Sequence, residues 1–441
     1  MKHLPLYNAI KEYSGSSPAR FHMPGHKGFL SPFDVTELSC TDDLQRPSAA
    51  IMESEALCAK ALSAREAFFL VNGSSAGILA MLFAVGSGKR ILLGRNCHKS
   101  AINGIALADQ EAIPLFPDRN GVYSAEAVDE ALEEHPCDAV FLTSPTYRGC
   151  VSPINDIAEA AHRHGALLLV DSAHGAHFAF SKNLPPVPSA ADMWCVSTHK
   201  TLFAMTQTAM LLMGESCPIP AWKVQKALNM FQSTSPSYEM MLSIERSVLE
   251  AGDWEKHTER MLAFRSRIKE IPGVTLLCEA NNYERDVTRL NIALYGSTGY
   301  ELGDLLEENN IYPEMADREC VTLITSPEDP DEWYERLFKA LNEASSIFRN
   351  SENAFVYDEK PVFGEKACSV REAVTGNTET VPLEASVGRI CSAAVGCYPP
   401  GTAVLFPGER INEEAVSRLI SDLNAGAKLF GMTNGFIEVL A

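Results

Sequence analysis

The stretch Ser197-Thr198-His199-Lys200 places a single lysine directly after a short apolar run, residues 192–196. A second apolar run, residues 166–170, ends in Asp171. A lysine amine can hold an aldehyde as a Schiff base, and a buried carboxylate can keep a pyridine nitrogen protonated. The two runs together therefore favour pyridoxal phosphate chemistry, in which the pyridine ring accepts the electrons of the reacting bond.

The residues beside the lysine support that interpretation. Ser197 and His199 are hydrogen-bond donors suited to a phosphate. The competing interpretation is that Lys200 is an ordinary surface lysine that follows a strand, because short motifs also occur by chance. The rest of the chain has to decide between the two.

Composition narrows the class of protein. The chain has 441 residues, of which 46% are hydrophobic and 21% charged, and a formal net charge of −20. This length predicts two or three globular domains. The acidic balance argues against a nucleic acid or an anionic membrane as partner and suits a small cationic molecule. No apolar run approaches the ~20 residues that span a bilayer, and the twelve cysteines show no metal-type spacing. We expect a cytoplasmic protein.

Alternation of short apolar runs with helical patterns predicts an α/β fold with a mostly parallel sheet covered on both faces. We expect an N-terminal arm (1–45), a large cofactor-binding domain (46–250), a small α+β domain (251–346) and a C-terminal α+β domain (347–441). The predicted strands of the large domain are residues 68–71, 90–93, 138–143, 166–171, 192–196 and 208–213. The predicted helices between them are residues 48–67, 75–84, 98–107 and 153–164.

Ligands of open parallel sheets lie beyond the carboxyl ends of the strands, and the candidate site residues follow predicted strands. Ser74 and Ser75 could present hydroxyls and backbone amides to a phosphate, although Ser74 could be only a helix cap. His98 could lie against a cofactor ring, or cap a helix. Asp171 could pair with the ring nitrogen, or cap a turn.

His174 and His177 form the other polar group at a strand end. They could be a satisfied polar pair. A metal site is disfavoured because no third ligand follows at a suitable spacing, so we expect no metal.

These motifs resemble the Orn/Lys/Arg decarboxylase family of fold-type I pyridoxal phosphate enzymes. The resemblance rests on DSAHGAH (171–177), STHKTL (197–202) and TQ (206–207), with FHMPGHK (21–27), TDDL (41–44), NGSS (72–75), TSPTY (143–147), GRI (388–390), YPPG (398–401) and PGE (407–409). It covers residues 5 to 420 approximately. The chain resembles the short, wing-less form of the family. Ser172 and Ser48-Ala49-Ala50 depart from the family pattern.

The resemblance implies a fold-type I transferase-like large domain and roles for individual residues. Lys200 would carry the cofactor, Asp171 would pair with the pyridine nitrogen, and His98 would stack on the ring. The remaining cofactor-binding candidates are Ser74, Ser75, Ala173, His174, Ser197 and His199. The family works as dimers or higher assemblies with active sites at the interface, so Gln207 and residues 22–27 are candidates to serve a neighbouring subunit.

The function implied is decarboxylation of arginine, lysine or ornithine to the amine and CO2, as in polyamine metabolism. Lys200, His98 and Asp171 would be the catalytic residues. An aminotransferase or a β-eliminating lyase is the alternative, in which Arg289 would hold the substrate carboxylate; a non-catalytic regulatory homologue is a further one. Glu314 and Glu409 are candidates to face the distal cation of a basic substrate, and solvated surface acids otherwise.

Overall fold

A seven-stranded sheet organises the first part of the chain. The computed structural model describes residues 3–279, 284–349, 362–398 and 401–441. The elements of the first part are α1 (Pro5–Gly15), α2 (Ala50–Ala61), β1 (Glu66–Leu70), α3 (Gly73–Val85), β2 (Arg90–Gly94), α4 (Lys99–Ala108), β3 (Glu111–Leu115), α5 (Ala125–Glu134), β4 (Ala139–Thr143), α6 (Ile154–Arg163), β5 (Leu167–Asp171), β6 (Met193–Val196), α7 (Thr198–Thr201), β7 (Ala209–Met213), α8 (Ala221–Phe231) and α9 (Tyr238–Leu249).

The strand order within the described sheet is β1-β7-β6-β5-β4-β2-β3. Strands β3, β2, β4, β5 and β6 pair in parallel, whereas β7 is antiparallel to both β6 and β1. Because β7 runs antiparallel to both of its neighbours, β1 and β6 run in the same direction. The carboxyl ends of β1, β2, β4, β5 and β6 therefore share one edge of the sheet. The expected mostly parallel sheet is confirmed.

Burial explains why these strands are short apolar runs. Strand β6 is buried at all four positions, and β7 at all five. Helices cover both faces, so neither face of the central strands alternates with polar residues. The close packing of α3 on this sheet depends on Gly77, since a Cβ there would lie 2.7 Å from both Cys195 Sγ and Leu70 Cδ1.

The predicted helix over residues 48–67 is wrong at its carboxyl end. Helix α2 stops at Ala61, and Ser63 adopts a left-handed backbone conformation with φ of 56°. Ala67 belongs to β1, where it pairs with Leu212. The apolar pattern runs on past the turn, so periodicity alone did not mark the boundary.

Strand β3 and helix α5 of the sheet domain were missing from the sequence prediction. Strand β3 lies at the edge of the sheet and pairs with β2 in parallel. It contains Pro114, which an edge strand tolerates because one side of its ladder is unpaired. Helix α5 follows it and packs with α6. The charged and proline positions interrupted the apolar runs by which strands were recognised.

A smaller α+β unit follows. Its elements are α10 (Trp254–Ile268), β8 (Val274–Leu276), β9 (Arg289–Leu294), α11 (Gly299–Glu308), β10 (Met315–Ala316), β11 (Val321–Ile324) and α12 (Asp331–Phe348). The described strands form a sheet of order β10-β11-β9-β8. Met261, Leu290, Ile292 and Leu341 belong to the separate apolar core of this unit.

The C-terminal unit contains short strands in three small sheets among its described residues. Its elements are β12 (Glu365–Lys366), α13 (Val370–Thr375), β13 (Thr378–Pro382), β14 (Val395–Cys397), β15 (Ala403–Leu405), β16 (Glu409–Arg410), α14 (Glu413–Asn424), β17 (Leu429–Phe430), β18 (Met432–Thr433) and β19 (Phe436–Leu440). The expected α/β class with two α+β units is confirmed, while the residue limits 45, 250 and 346 remain predictions.

Hydropathy gives one further result. Within the described parts of the chain, no helix combines the length and the apolar character needed to cross a bilayer.

Candidate active site

Lys200 lies just beyond β6, on the short helix α7. Its Nζ is 3.1 Å from Nε2 of His174. Burial lowers the pKa of the Lys200 amine below its ordinary value, Asp171 opposes that shift, and the positive charge of Arg289 adds to it. The lysine is therefore closer to its neutral, nucleophilic form than a surface lysine would be.

Asp171 is the last residue of β5 and is buried. Its Oδ1 accepts a hydrogen bond from the Ala173 N–H at 3.1 Å. Burial raises the pKa of this carboxyl, and the positive charges of Lys200 and His98 partly offset the rise. The carboxyl lies in a low-dielectric environment where one nearby cation has a large effect.

His98 is the N-cap of α4, as one of the two interpretations predicted. Its Nδ1 accepts the Ser100 N–H at 3.2 Å and lies 2.8 Å from Ser100 Oγ. Burial lowers the pKa of the ring. Gly401, at φ of +90°, lies beside the ring edge, where a Cβ would be in ordinary van der Waals contact with His98 Cδ2 at 3.4 Å. Capping fixes the ring orientation and leaves its face available.

The loop between β1 and α3 leads into the amino end of a helix, where backbone N–H groups favour an anion. The N-cap of α3 is Asn72, which makes no side-chain capping bond. The Gly73 N–H donates to the Gln207 oxygen, so the N–H groups of the first turn that are left for another acceptor begin at Ser74. Ser74 lines the adjacent cleft, whereas Ser75 is exposed. Because Asn72 holds the cap position, the interpretation of Ser74 as the N-cap is wrong.

Gln207 supports this loop from within its own chain. Its backbone oxygen accepts the Gly73 N–H at 2.8 Å, and its side-chain Nε2 donates to the Val71 oxygen at 2.5 Å. The side chain is thereby engaged beside the loop that leads into α3 of the same chain. The expectation that Gln207 serves a neighbouring subunit remains a prediction.

Four buried hydroxyls at or after the carboxyl ends of β4, β5 and β6 have no hydrogen-bond partner among the described residues. They belong to Thr143, Ser172, Ser197 and Thr201. His199 uses Nδ1 to contact the Thr208 oxygen at 2.7 Å, and burial lowers the pKa of its ring. Since buried polar atoms are normally satisfied, the hydroxyl of Thr143, which lines the same cleft as Lys200, fits a polar ligand there.

A cleft of about 1620 Å³ opens above these residues. Its lining includes Ser74, His98, Asp171, Ala173, His174 and Lys200 of the sheet unit, Glu314 of the small unit, and Thr402 of the C-terminal unit. No group of three or more metal-ligating side chains occurs in the described residues. Lys200, the buried Asp171 and the amino end of α3, which has no side-chain cap, have the chemistry that pyridoxal phosphate requires.

Two family models match this chain. The Orn/Lys/Arg decarboxylase major domain matches residues 4–277, and the C-terminal domain of the same family matches residues 349–436. The chain belongs to the Orn/Lys/Arg decarboxylase family. The predicted enzyme class, an amino-acid decarboxylase, is confirmed, and the aminotransferase, lyase and non-catalytic alternatives are set aside.

Individual relatives support the same family and the same enzyme class. The decarboxylase is 31% identical to the arginine decarboxylase of Bacillus subtilis over 99% of this chain and 97% of that protein. It is 25% identical to a lysine decarboxylase of Pseudomonas aeruginosa over 55% of this chain and 39% of the relative. The structure of the Francisella novicida lysine decarboxylase superimposes with a TM-score of 0.82 at 20% identity, covering 99% of this chain and 81% of the other, and so shows the same fold.

Of the two acids predicted to face a substrate cation, Glu314 lies in the cleft of the decarboxylase. It is exposed there and accepts a hydrogen bond from the Tyr147 hydroxyl. The Tyr147 ring stands edge-on to His174, with centroids 4.7 Å apart. Glu314 is therefore held beside the residue that contacts Lys200.

The prediction for Glu409 is wrong. Glu409 forms an ion pair with Arg95 at 3.0 Å, and both side chains are almost completely buried. The Arg95 guanidinium also lies over the Phe406 ring, 3.5 Å from its centroid. The carboxylate of Glu409 is used to join the C-terminal unit to the end of β2. A free substrate cation would have to displace a buried arginine.

Arg289 lies beside His174, a contact that its sequence position did not indicate. It is fully buried, and its Nη2 donates to Nδ1 of His174 at 3.0 Å. Asp286, which the sequence analysis did not single out, lies next to it, with Oδ2 3.5 Å from Arg289 Nε. His177 contacts the same Asp286 oxygen at 3.0 Å. The available signal was Asp286-Val-Thr-Arg289 at the start of a small-domain strand.

Proposed function

We propose that this enzyme uses pyridoxal phosphate to decarboxylate a basic amino acid (arginine, lysine or ornithine) to the corresponding amine and CO2 in polyamine-type metabolism. One observation carries the proposal. Lys200 and Asp171 are brought to the same edge of the sheet, largely buried, and each alters the pKa of the other. A lysine with a depressed pKa facing a buried carboxylate is what the cofactor aldehyde and the pyridine nitrogen require.

Each part of the cofactor would be held by particular residues at the carboxyl ends of the strands. Lys200 would carry it, Asp171 would face its ring nitrogen, and His98 and Ala173 would lie on its two faces. The phosphate would be bound by Ser74, Ser75, Ser197 and His199 with the first N–H groups of α3, and His174 would lie at the lysine. When bound, the cofactor supplies the electron sink for loss of the carboxylate.

Proton handling falls to residues of the chain itself. The lowered pKa of Lys200 lets the amine exist without its proton and take one up during the reaction. Lys200 and His98 are the candidates to return a proton to the substrate α-carbon. The lowered pKa of His98 favours a neutral ring there, which suits stacking and makes Lys200 the better proton carrier.

The substrate class is inferred from Glu314 and from the relatives. Glu314 presents a carboxylate in the cleft, and Tyr147 orients it. Arginine is the favoured substrate, because the sequences of the relatives named arginine decarboxylase align along nearly the whole chain at 30–31% identity, whereas the sequences of those named lysine decarboxylase align along about half of it at 25–26% identity.

We further propose a cytoplasmic homodimer or higher homo-oligomer with active sites at the interface. The cysteines are free, as expected in a reducing compartment. Phe21 and Phe29, in the segment that contains the FHMPGHK motif, are 96% and 92% exposed, which an isolated chain would not favour. Sedimentation of the purified protein tests the assembly; a monomer at the assay concentration would contradict it.

A substrate panel tests the proposed activity. Arginine, lysine and ornithine are compared with glutamate, aspartate and leucine at equal concentration, with CO2 release and the amine product both measured. Visible absorbance reports bound cofactor in the same samples. We expect turnover of at least one basic amino acid, with arginine first. Faster turnover of an acidic or neutral amino acid than of all three basic ones would refute the substrate class and leave the fold and family unchanged.

A further inference from the structure

Lys200 is the first member of a buried series of hydrogen bonds that leads into the small unit. Its Nζ lies 3.1 Å from His174 Nε2, and His174 Nδ1 lies 3.0 Å from Arg289 Nη2. His174 is 6% exposed and Arg289 1%. The series therefore joins the end of β6 to β9 through one imidazole that water hardly reaches.

The donors in this series determine where the histidine proton sits. A guanidinium can only donate hydrogen bonds, so Nδ1 of His174 must be the acceptor in its contact with Arg289. The single proton of the neutral ring is then on Nε2, which faces Lys200 Nζ. An Nε2–H can bond to the lysine only if the amine is neutral and offers its lone pair.

The alternative protonation states bring like charges together. A protonated His174 would lie between the charges of Lys200 and Arg289 in a low-dielectric site. Accordingly, burial and then the charges of Lys200 and Arg289 lower the pKa of His174 well below its ordinary value. A protonated Lys200 would place an ammonium donor against an N–H donor.

Arg289 is itself held in place. Asp286 Oδ2 lies 3.5 Å from Arg289 Nε, and Asp286 Oδ1 accepts the Thr288 N–H and hydroxyl at 2.9 and 2.6 Å. The turn at Gly149, with φ of +86°, covers the side chain, since a Cβ there would lie 2.7 Å from Arg289 Cγ. The aliphatic stem of Arg289 is thus enclosed, and its guanidinium is paired with Asp286 and His174, while Nε and Nη1 have no hydrogen-bond partner among the described residues.

We propose that Arg289 is a positioning residue that fixes His174 as the Nε2–H tautomer and thereby keeps the Lys200 amine neutral. Its catalytic consequence rests on the proposed function, because a neutral amine is what reacts with an aldehyde. The claim about the tautomer concerns the protein alone and can be tested without cofactor or substrate.

Other charged and titratable groups also act on this pair. Those that act on Lys200 besides its partner His174 are Asp171, Arg289, Glu314, Cys195, His98 and His199. Those that act on His174 are Lys200, Arg289, His177 and His199, with Tyr147 in ring contact. Asp171 and Glu314 favour the ammonium form of Lys200, so the neutral form depends on burial and on Arg289.

The direct test is a long-range proton–nitrogen NMR spectrum of the histidine rings in the full-length, cofactor-free protein. His174→Gln identifies the His174 signals by their loss. We expect the Nε2–H tautomer in the unmodified protein between pH 6 and 8, and a shift toward the Nδ1–H tautomer in Arg289→Met. An Nδ1–H or doubly protonated His174 in the unmodified protein overturns the proposal, and this measurement needs no variant of Arg289 to fold.

The second measurement is the titration of Lys200, followed by mass spectrometry after brief acylation at a series of pH values. In Arg289→Met we expect the midpoint to rise by at least about one pH unit, the lower end of the effect of a nearby charge. Arg289→Lys, which keeps a cationic donor, is expected to restore much of the difference. Arg95→Met removes another buried arginine with a carboxylate partner and should leave the Lys200 midpoint unchanged. Equal midpoints in Arg289→Met and the unmodified protein overturn the proposal.

Kinetics separate the positioning role from direct substrate binding. Arg289→Met should lower kcat and move the acid limb of the kcat profile to higher pH, with KM little changed. A raised KM with unchanged kcat would make Arg289 a ligand of the substrate carboxylate and would overturn the proposal. If no basic amino acid is decarboxylated, the proposed function fails, while the tautomer and the Lys200 midpoint still decide this inference.

Discussion

Replacement of Asp171 with Asn isolates the electrostatic part of the proposed mechanism. The described contact of this side chain is the hydrogen bond that Oδ1 accepts from the Ala173 N–H at 3.1 Å, and an asparagine oxygen can accept the same bond. The substitution therefore removes a buried negative charge and little else. Loss of one preorganised electrostatic group typically lowers kcat by about 10²- to 10³-fold, or roughly 2.7–4 kcal/mol in the activation barrier.

We expect Asp171→Asn to bind the cofactor more weakly and to lose about 10²-fold or more in kcat. CO2 release gives kcat, a cofactor titration followed by visible absorbance gives affinity, and circular dichroism checks the fold. The pKa values of Lys200 and His98 should both fall, because Asp171 raises them in the unmodified protein. An activity loss below about tenfold would show that another group serves the ring nitrogen and would refute the reasoning.

Asp192→Asn is the matched control for this experiment. Asp192 is also buried, but it precedes β6 and so lies at the opposite edge of the sheet from Lys200. Its Oδ2 accepts the Leu168 N–H at 2.8 Å and contacts His162 Nε2 at 2.9 Å. We expect this variant to keep its kcat and to lose only stability. Equal losses of kcat in the two variants would mean that buried aspartates act here through the fold.

Three further outcomes are expected. Lys200→Ala should abolish turnover and the visible absorbance of lysine-bound cofactor while the circular dichroism spectrum persists. Lys200→Arg should be equally inactive, because a guanidinium stays protonated. Full activity in either variant would show that Lys200 does not carry the cofactor. Glu314→Gln should raise KM for basic amino acids about fivefold, since an exposed ion pair contributes up to about 1 kcal/mol. An unchanged KM would mean that another group binds the distal cation of the substrate. Burial raises the pKa of Glu55 to about 8, so this carboxyl binds a proton more tightly in the folded state than in the unfolded state. Its contribution to stability is therefore lost as pH rises from about 5 to 8. Glu55→Gln can still accept the Phe69 N–H and should show a smaller decline in unfolding free energy over that range, measured by urea titration at each pH.

The residues at the strand ends could be predicted because their signals are local. Each candidate follows an apolar run, and parallel strands bring their carboxyl ends to one edge whatever the rest of the chain does. Asp171, His98 and Lys200 were placed in this way, and the cleft contains all three. The fold class followed from the same pattern of runs. The end of α2 was missed because the apolar pattern continues past the turn, and the edge strand β3 was missed because Pro114 interrupts its apolar run.

What tertiary structure decided is which side chains meet. Arg289 and His174 are 115 positions apart, and Arg95 and Glu409 are 314 apart. Periodicity and motif spacing carry information about neighbours along the chain, not about pairs formed when separate units pack. The sequence therefore could not show that Glu409 forms an ion pair with a buried arginine, or that Arg289 donates a hydrogen bond to a histidine. Those two contacts depend on how the small and C-terminal units close on the sheet, because only that packing removes the groups from water and makes each the nearest partner of the other.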